Sequence, residues 1–190
     1  AGKTIALLSI ANMIQSQQGN YGIIYSLPFL SITEQVENIL KQMGIDYIAI
    51  NSKSQNKEAE TLYEKYENNP TYNSLQDVLK SDFAEQTFDH PFIVTTFVQF
   101  FETLISNRNS TLLKLPNFAK KIFLIDEIQS LPPRLYIFFS AWLDAFCYKN
   151  DSYAVLSTAT MPKLNFPNRE FQLPIDKSPE KLFTTYSNRL

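Results

Sequence analysis

The first residues with the types and order needed for chemistry are Gly2, Lys3 and Thr4, at the start of the chain. This GKT triplet matches the last three residues of the phosphate-binding pattern G-x-x-x-x-G-K-[ST]. In that loop, backbone N–H groups at a helix N-terminus point at phosphate oxygens, the lysine bridges the outer phosphates and the hydroxyl ligates Mg²⁺. The alternative is a flexible terminus entering a helix, because the upstream glycine of the pattern and its strand are missing from this sequence.

Two adjacent carboxylates, Asp126 and Glu127, follow the apolar run 122–125, which is typical of a buried strand. Such a pair is costly at the end of a buried strand unless a cation or hydrogen-bond donors meet it. That cost favours a metal–nucleotide site, in which Asp126 holds Mg²⁺ directly or through water and Glu127 orients and activates the attacking water. The alternative is a helix-capping Asp beside a solvated Glu. The GKT triplet in the same chain favours the site.

Small residues follow the next apolar run, namely Ser157, Thr158, Ala159 and Thr160. If this run is also a strand, their hydroxyls lie at the same sheet edge as the acidic pair. They could then hydrogen-bond the carboxylates and sense what is bound between the two segments. The alternative is an ordinary Ser/Thr turn, which is what this segment favours when taken alone.

Two further predicted strands end in residues suited to contact a nucleic-acid backbone. Thr95 and Thr96 come before a predicted helix, and amides and hydroxyls at a helix start are natural phosphate ligands. Pro28 and Phe29 end another strand on the same predicted edge. Both segments are equally compatible with ordinary strand-to-helix turns.

Composition excludes several classes of protein. The chain has 190 residues, 44% of them hydrophobic and 19% charged, which suits one packed domain. A net charge of -2 excludes a generally basic protein that coats nucleic acid. The single Cys147 cannot form an internal disulfide, and the single His90 excludes a multi-histidine metal site. No apolar run is long enough to cross a bilayer and no signal peptide is visible, so we expect a soluble cytoplasmic protein without a membrane partner.

Short apolar runs at regular intervals predict the strands of a sheet. They lie at 21–27, 45–50, 92–96, 121–126 and 152–157. Because segments with helical spacing separate them, the pattern predicts an α/β fold with a mostly parallel sheet and helices on both faces. In such a sheet, ligands bind beyond the carboxyl ends of the strands, which is where the candidate residues fall.

The predicted helices include 3–18, 97–106 and 134–148. A capping box of Ser31 and Glu34 predicts the start of another helix. The polar segment 51–90 predicts two amphipathic helices at the periphery, interrupted near Pro70. Beyond residue 162 the pattern weakens into a tail, 163–190.

Three motifs in this order (GKT, DEIQ and STAT) resemble the first motor lobe of superfamily-two helicases. The longer stretches DEIQSLPP from Asp126, VTTFVQFFETL from Val94 and LPFLSITEQ from Leu27 resemble the CRISPR-associated helicase-nuclease of type I systems. The resemblance spans residues 2–162. It implies a three-layer RecA-like P-loop NTPase lobe, the ATP-binding part of a translocase that moves on single-stranded DNA, is recruited to an RNA-guided CRISPR effector complex and acts in antiviral defence.

The resemblance also implies roles for residues that match the family's motifs. Gly2, Lys3 and Thr4 would bind ATP, with Thr4 and Asp126 holding Mg²⁺, Glu127 acting as the catalytic carboxylate and Gln129 facing the nucleotide or a second lobe. Coupling of hydrolysis to DNA would fall to Thr158, Ala159 and Thr160. The DNA path would be lined by Pro28, Phe29, Thr95 and Thr96.

The sequence departs from the family pattern in several places. Thr158 stands where the family usually has serine, a change that keeps the hydroxyl. The first half of the phosphate loop, the second motor lobe and the nuclease domain are not in this sequence, so we expect a fragment whose tail, 163–190, leads toward the second lobe. For such a fragment we expect weak ATP binding, negligible turnover and a tendency to self-associate, because a strand edge and apolar helix faces would be exposed.

Two other functions compete with the helicase lobe. The first is a catalytically silent module that keeps the fold and contacts DNA or a partner passively. The second is a P-loop kinase of small substrates, which would want a mobile lid rich in arginine, whereas this chain has only scattered arginines such as Arg108 and Arg134.

Overall fold

A computed structural model describes residues 2–51 and 57–160, together with Leu164. Its helices are α1 (Gly2–Gln18), α2 (Leu30–Gln42), α3 (Lys57–Asn68), α4 (Tyr72–Thr87), α5 (Phe97–Ile105), α6 (Asn109–Leu112) and α7 (Tyr136–Lys149). Its strands are β1 (Gly22–Leu27), β2 (Ile48–Ile50), β3 (Phe92–Thr96), β4 (Lys121–Ile125) and β5 (Tyr153–Leu156). Short 3-10 turns lie at Leu115–Phe118, Ile128–Ser130 and Pro133–Leu135.

Within the described residues, the strands form one sheet in the order β2-β3-β1-β4-β5, and every pairing is parallel. Parallel neighbours need crossover connections, and each connection between consecutive strands here contains at least one helix. Helices α1 and α2 cover one face of the sheet, while α5 and α7 cover the other. The result is the three-layer α/β architecture with a RecA-like parallel sheet, which confirms the fold class expected from the sequence.

The two faces of the sheet bury different kinds of side chain. The face under α1 and α2 is mainly aliphatic, with Leu7, Leu8, Val36 and Leu40 against the strands. The opposite face is aromatic. Its rings come from α5, α7, β4 and the segments before β3 and β4, and they are Phe88, Phe97, Phe100, Phe118, Phe123 and Phe139. Strands buried on both faces explain the near-continuous apolar runs in the sequence.

Phe100 is the side chain whose loss we expect to destabilise the fold most clearly. It is fully buried, and its ring lies 5.4–5.6 Å from the ring centroids of Phe101, Phe118 and Phe123. We expect Phe100→Ala to lower the free energy of unfolding by about 3–5 kcal/mol, because it removes apolar contacts and leaves a cavity. Denaturant titration followed by circular dichroism measures this change. Val98→Ala on the same helix is the control, since Val98 is 67% exposed. Equal losses in both variants would contradict the proposed packing role.

Most boundaries agree with the sequence, but the capping box of Ser31 and Glu34 was wrong. Helix α2 begins two residues earlier than a cap at Ser31 requires, with Phe29 at the N-cap in extended conformation and no side-chain cap. The carbonyl of Phe29 accepts hydrogen bonds from the amides of Ile32 and Thr33, at 3.2 and 3.3 Å. The backbone has therefore already entered the helix where Ser31 was expected to cap it.

Strand β2 is shorter than the run 45–50 predicts. Only Ile48–Ile50 pairs with β3, because the amide of Ile45 instead donates to the carbonyl of Leu40 at the end of α2. The predicted helix over 134–148 also differs at its start, since a 3-10 turn at Pro133–Leu135 precedes α7.

The polar segment between β2 and β3 contains two helices, α3 and α4, as predicted. Thr71 caps α4 through a reciprocal bond with Ser74, which explains the break after Pro70. In the described part of the chain, we find no helix that combines the length and the apolar character of a bilayer span. The tail, 163–190, lies outside the described residues apart from Leu164.

Candidate functional site

The amino end of α1 and the carboxyl end of β4 meet at one rim of the sheet. Lys3 lies in the first turn of α1, and its Nζ is 3.4 Å from Oδ1 of Asp126, the residue that follows β4. The same Nζ donates a hydrogen bond to Oε1 of Glu127. The sequence predicted that these three residues share a rim although more than a hundred positions separate them, and this juxtaposition is confirmed.

Asp126 is held rigidly at this rim. Only 5% of its surface is exposed, and its amide donates to the carbonyl of Ser26 on the neighbouring strand β1, at 3.1 Å. Its side chain accepts from the amide of Glu127 at 2.9 Å and from the hydroxyl of Tyr25 at 3.3 Å. A nearly buried carboxylate that accepts these hydrogen bonds, with Lys3 nearby, is fixed in position.

Tyr25 joins the two expected metal ligands, and the sequence analysis overlooked it. Its ring is fully buried in β1, and its hydroxyl hydrogen-bonds both Asp126 and Thr4. Burial and the nearby Asp126 carboxylate raise the pKa of this phenol, so it remains a hydrogen-bond donor at neutral pH. A tyrosine near the end of the apolar run 21–27 was the signal that could have revealed it.

Glu127 adopts an unusual backbone conformation directly after Asp126. Its φ of 58° and ψ of 42° lie in the left-handed region, which costs about 1–3 kcal/mol for a residue other than glycine. Strain of this kind concentrates at functional sites, where surrounding contacts enforce it. The hydrogen bond from Lys3 holds the pKa of Glu127 below its ordinary value, against the opposing effect of partial burial. The carboxylate is therefore charged at neutral pH.

Gln129 connects the acidic pair to the end of β5. Its amide nitrogen donates to Oε2 of Glu127, and its amide oxygen accepts from the hydroxyl of Thr158 at 2.6 Å. The backbone supports this link, because the amide of Ile128 donates to the carbonyl of Ser157 at 3.1 Å. We had expected the hydroxyls after β5 to hydrogen-bond the carboxylates themselves. Instead, in the described part of the chain, the hydroxyl of Thr158 is linked to Glu127 through the side chain of Gln129.

The remaining residues expected at the nucleotide and at the coupling segment lie around this cluster. Gly2 begins α1 and is exposed beside Lys3. Ala159 and Thr160 are exposed after β5, and the amide of Thr160 donates to the hydroxyl of Thr158 at 3.2 Å. The structure therefore groups Gly2, Thr158 and their neighbours on the rim that carries the acidic pair.

The residues expected along a DNA path lie farther along the rim, and they are not equally accessible. Phe29 is 59% exposed beyond the end of β1, next to the half-buried Pro28. Thr95 is fully buried, and its hydroxyl donates to the carbonyl of Ile50 at 2.8 Å. Thr96 is nearly buried and caps α5. The side chains of Thr95 and Thr96 therefore serve the fold, which leaves Phe29 as the side chain of this set that is open to a ligand.

The fold and the rim define a parallel α/β protein with a lysine, a hydroxyl and an acidic pair converging at the carboxyl ends of its strands. No protein-family model matches the chain. Among curated proteins, the chain is similar to the CRISPR-associated nuclease/helicase Cas3 of Haloferax volcanii, with 27% identity over 180 residues. That similarity covers 86% of this chain but only 18% of the relative, so the chain spans less than a fifth of that protein. The similarity supports a Cas3-related helicase region.

Proposed function

We propose that this chain is the ATP-binding lobe of a CRISPR-associated DNA helicase, which couples ATP hydrolysis to translocation on single-stranded DNA and to unwinding in antiviral defence. The observation that carries the proposal is the contact of Lys3 with both Asp126 and Glu127 at the carboxyl rim of a parallel sheet. The similarity to a protein named as a nuclease/helicase supports it independently.

The residues at the rim fit a magnesium–nucleotide complex. The amides at the start of α1 and the ammonium of Lys3 would hold the phosphates of ATP, as helix N-termini and lysines do in phosphate sites. Thr4 and Asp126 supply hard oxygen ligands, which Mg²⁺ prefers, and both contact the hydroxyl of Tyr25, so they lie close together. When bound, the ion would neutralise phosphate charge.

Glu127 is placed to position the attacking water. Its two carboxylate oxygens contact Lys3 and Gln129. If Lys3 engaged the phosphates of ATP, Oε1 of Glu127 would become free to accept a hydrogen bond from water, while Gln129 would still hold Oε2.

ATP hydrolysis would be coupled to DNA through the two hydrogen bonds that join Thr158 to Gln129 and Gln129 to Glu127. A movement of the segment after β5 would reach the Glu127 carboxylate through these bonds. Ala159 and Thr160 would transmit that movement. Phe29 offers an exposed ring on which a base could stack, with Pro28 and the main chain at Thr95 and Thr96 lining the path. The proposal also includes a second motor lobe and a nuclease domain, an RNA-guided CRISPR effector complex as partner, and a cytoplasmic location.

The test is nucleotide hydrolysis by the full-length natural polypeptide. We expect hydrolysis that requires Mg²⁺ and that rises when single-stranded DNA is added, because the water-positioning carboxylate is linked to the coupling segment. Phosphate release measured with and without DNA and Mg²⁺ checks this. Binding of DNA without any hydrolysis would instead favour a silent binding module, and hydrolysis that ignores DNA would contradict the coupling role.

A further inference from the structure

Tyr25 lies in the most constrained part of the sheet. It belongs to β1, the middle strand, and pairs with Val94 on β3 and with Leu124 on β4. Its side chain is fully buried in the aliphatic core between the sheet and helices α1 and α2. Close packing of this kind fixes the ring, and the hydroxyl oxygen lies on the ring axis, so even a ring flip leaves that oxygen in place.

The hydroxyl of Tyr25 reaches two residues that are proposed as ligands of Mg²⁺. It donates to Oδ2 of Asp126 at 3.3 Å, and it also hydrogen-bonds the side chain of Thr4. A phenol has a single proton to donate, and here Asp126 receives it. Toward Thr4 the oxygen of Tyr25 is therefore the acceptor, and the hydroxyl of Thr4 is the donor.

This direction of hydrogen bonding suits metal binding at Thr4. A threonine hydroxyl has one proton and two lone pairs, and a cation such as Mg²⁺ is bound through a lone pair. Because the proton of Thr4 is donated to Tyr25, the lone pairs of Thr4 point away from the phenol and are available to a cation. Oδ1 of Asp126 accepts from the amide of Glu127 at 2.9 Å, so the carboxylate of Asp126 is held at both of its oxygens.

We propose that Tyr25 is a positioning residue, whose hydroxyl orients Thr4 and Asp126 for the binding of Mg²⁺. This inference rests on the proposed function, because it requires a magnesium–nucleotide site at this rim of the sheet. It adds a residue that acts through two ligands rather than on the ion itself. Side chains that hydrogen-bond metal ligands in this way typically contribute about 10- to 100-fold to metal affinity.

The test compares Tyr25→Phe with Tyr21→Phe in the full-length natural polypeptide. Each substitution removes one buried phenol hydroxyl that donates to an aspartate, since the hydroxyl of Tyr21 donates to Asp151 at 2.8 Å. Tyr21 lies just before β1, at the opposite edge of the sheet. Binding of a fluorescent, non-hydrolysable ATP analogue is measured as Mg²⁺ is titrated. We expect the Mg²⁺ concentration for half-maximal binding to rise about 10-fold in Tyr25→Phe and to stay unchanged in Tyr21→Phe.

A purely structural role of Tyr25 would give a different pattern. Loss of fold stability alone would lower binding at every Mg²⁺ concentration, whereas a positioning role predicts that high Mg²⁺ restores both binding and hydrolysis in Tyr25→Phe. If folded Tyr25→Phe had an unchanged Mg²⁺ requirement, or a loss that Mg²⁺ does not restore, this inference would be overturned and the proposed function would stand. If binding of the analogue by the wild-type chain did not depend on Mg²⁺, both would be wrong.

Fluorine NMR keeps the inference falsifiable if Tyr25→Phe does not fold. A fluorotyrosine placed at position 25 or at position 21 keeps the hydroxyl and nearly keeps the size of the ring. We expect the resonance of position 25 to shift when Mg²⁺ is added to the nucleotide-bound protein, because the hydrogen bonds of the phenol then change, and the resonance of position 21 to stay. A resonance at position 25 that does not respond to Mg²⁺, or equal shifts at both positions, would contradict the role assigned to Tyr25.

Discussion

Glu127→Gln is expected to lower Mg²⁺-dependent ATP hydrolysis by the full-length polypeptide by about 10²–10⁴-fold, the usual contribution of a positioned general base. Glutamine keeps the size of the side chain and can still accept a hydrogen bond from Lys3, but it has no charge and cannot take a proton from water. We therefore expect nucleotide affinity to change much less than the rate. Phosphate release under saturating DNA, together with equilibrium binding of a fluorescent ATP analogue, measures the two effects separately.

Glu67→Gln is the matched control, because it makes the same chemical change on the exposed surface of the peripheral helix α3. It should leave both the rate and the affinity unaltered. DNA-stimulated hydrolysis that survives in Glu127→Gln would show that another group positions the water, and the catalytic assignment would then be wrong.

The second large effect is expected at Lys3. Lys3→Met keeps most of the length of the side chain but removes the ammonium, so we expect the affinity for ATP to fall about 10- to 100-fold, the equivalent of a hydrogen bond between charged groups. The substitution also removes the donor that lowers the pKa of Glu127, so that pKa should rise toward its ordinary value. Calorimetric titration with ATP and Mg²⁺ measures the affinity, and NMR titration of the Glu127 carboxyl measures the pKa.

The direction of the pH effect follows from the lysine contact. Because the pKa of Glu127 is lowered in the folded chain, the contact with Lys3 stabilises the fold above the ordinary glutamate pKa of 4.5 and loses that effect as the pH falls through the lower folded value. In Lys3→Met this acid-dependent contribution should shrink. Lys80→Met on α4 is the control for loss of one exposed charge. Unchanged ATP affinity in Lys3→Met would contradict the phosphate-binding role.

Much of the fold could be predicted from local pattern. The central strands β1, β3 and β4 are buried on both faces, so their apolar runs stand out. The run of β4 is the clearest because its four consecutive buried residues are all apolar. The ends of elements were harder to predict, because they depend on which backbone hydrogen bonds form. At the start of α2, the carbonyl of Phe29 already accepts hydrogen bonds from helical amides, before the cap expected at Ser31. The length of β2 was hard to predict for the same reason, because the amide of Ile45 already donates to the carbonyl of Leu40 at the end of α2.

The candidate site was also predictable only in part. The contact between Lys3 and the acidic pair was predictable because parallel strands end at one rim, and a helix leading back into a central strand must begin at that rim. The hydrogen bonds of Tyr25 and Gln129 were not, because they depend on rotamers and on the left-handed turn at Glu127 rather than on spacing along the chain.

By itself, the sequence determined the alternation of strands and helices, hence the parallel sheet, and it determined which residues follow the strand ends. Those properties depend on burial and periodicity, which are local to each segment. Only the tertiary structure decided which side chains at the rim are accessible to a ligand. It buries Thr95, exposes Phe29, and joins Thr158 to Glu127 through Gln129, because these outcomes depend on the distances between strands that are remote in sequence.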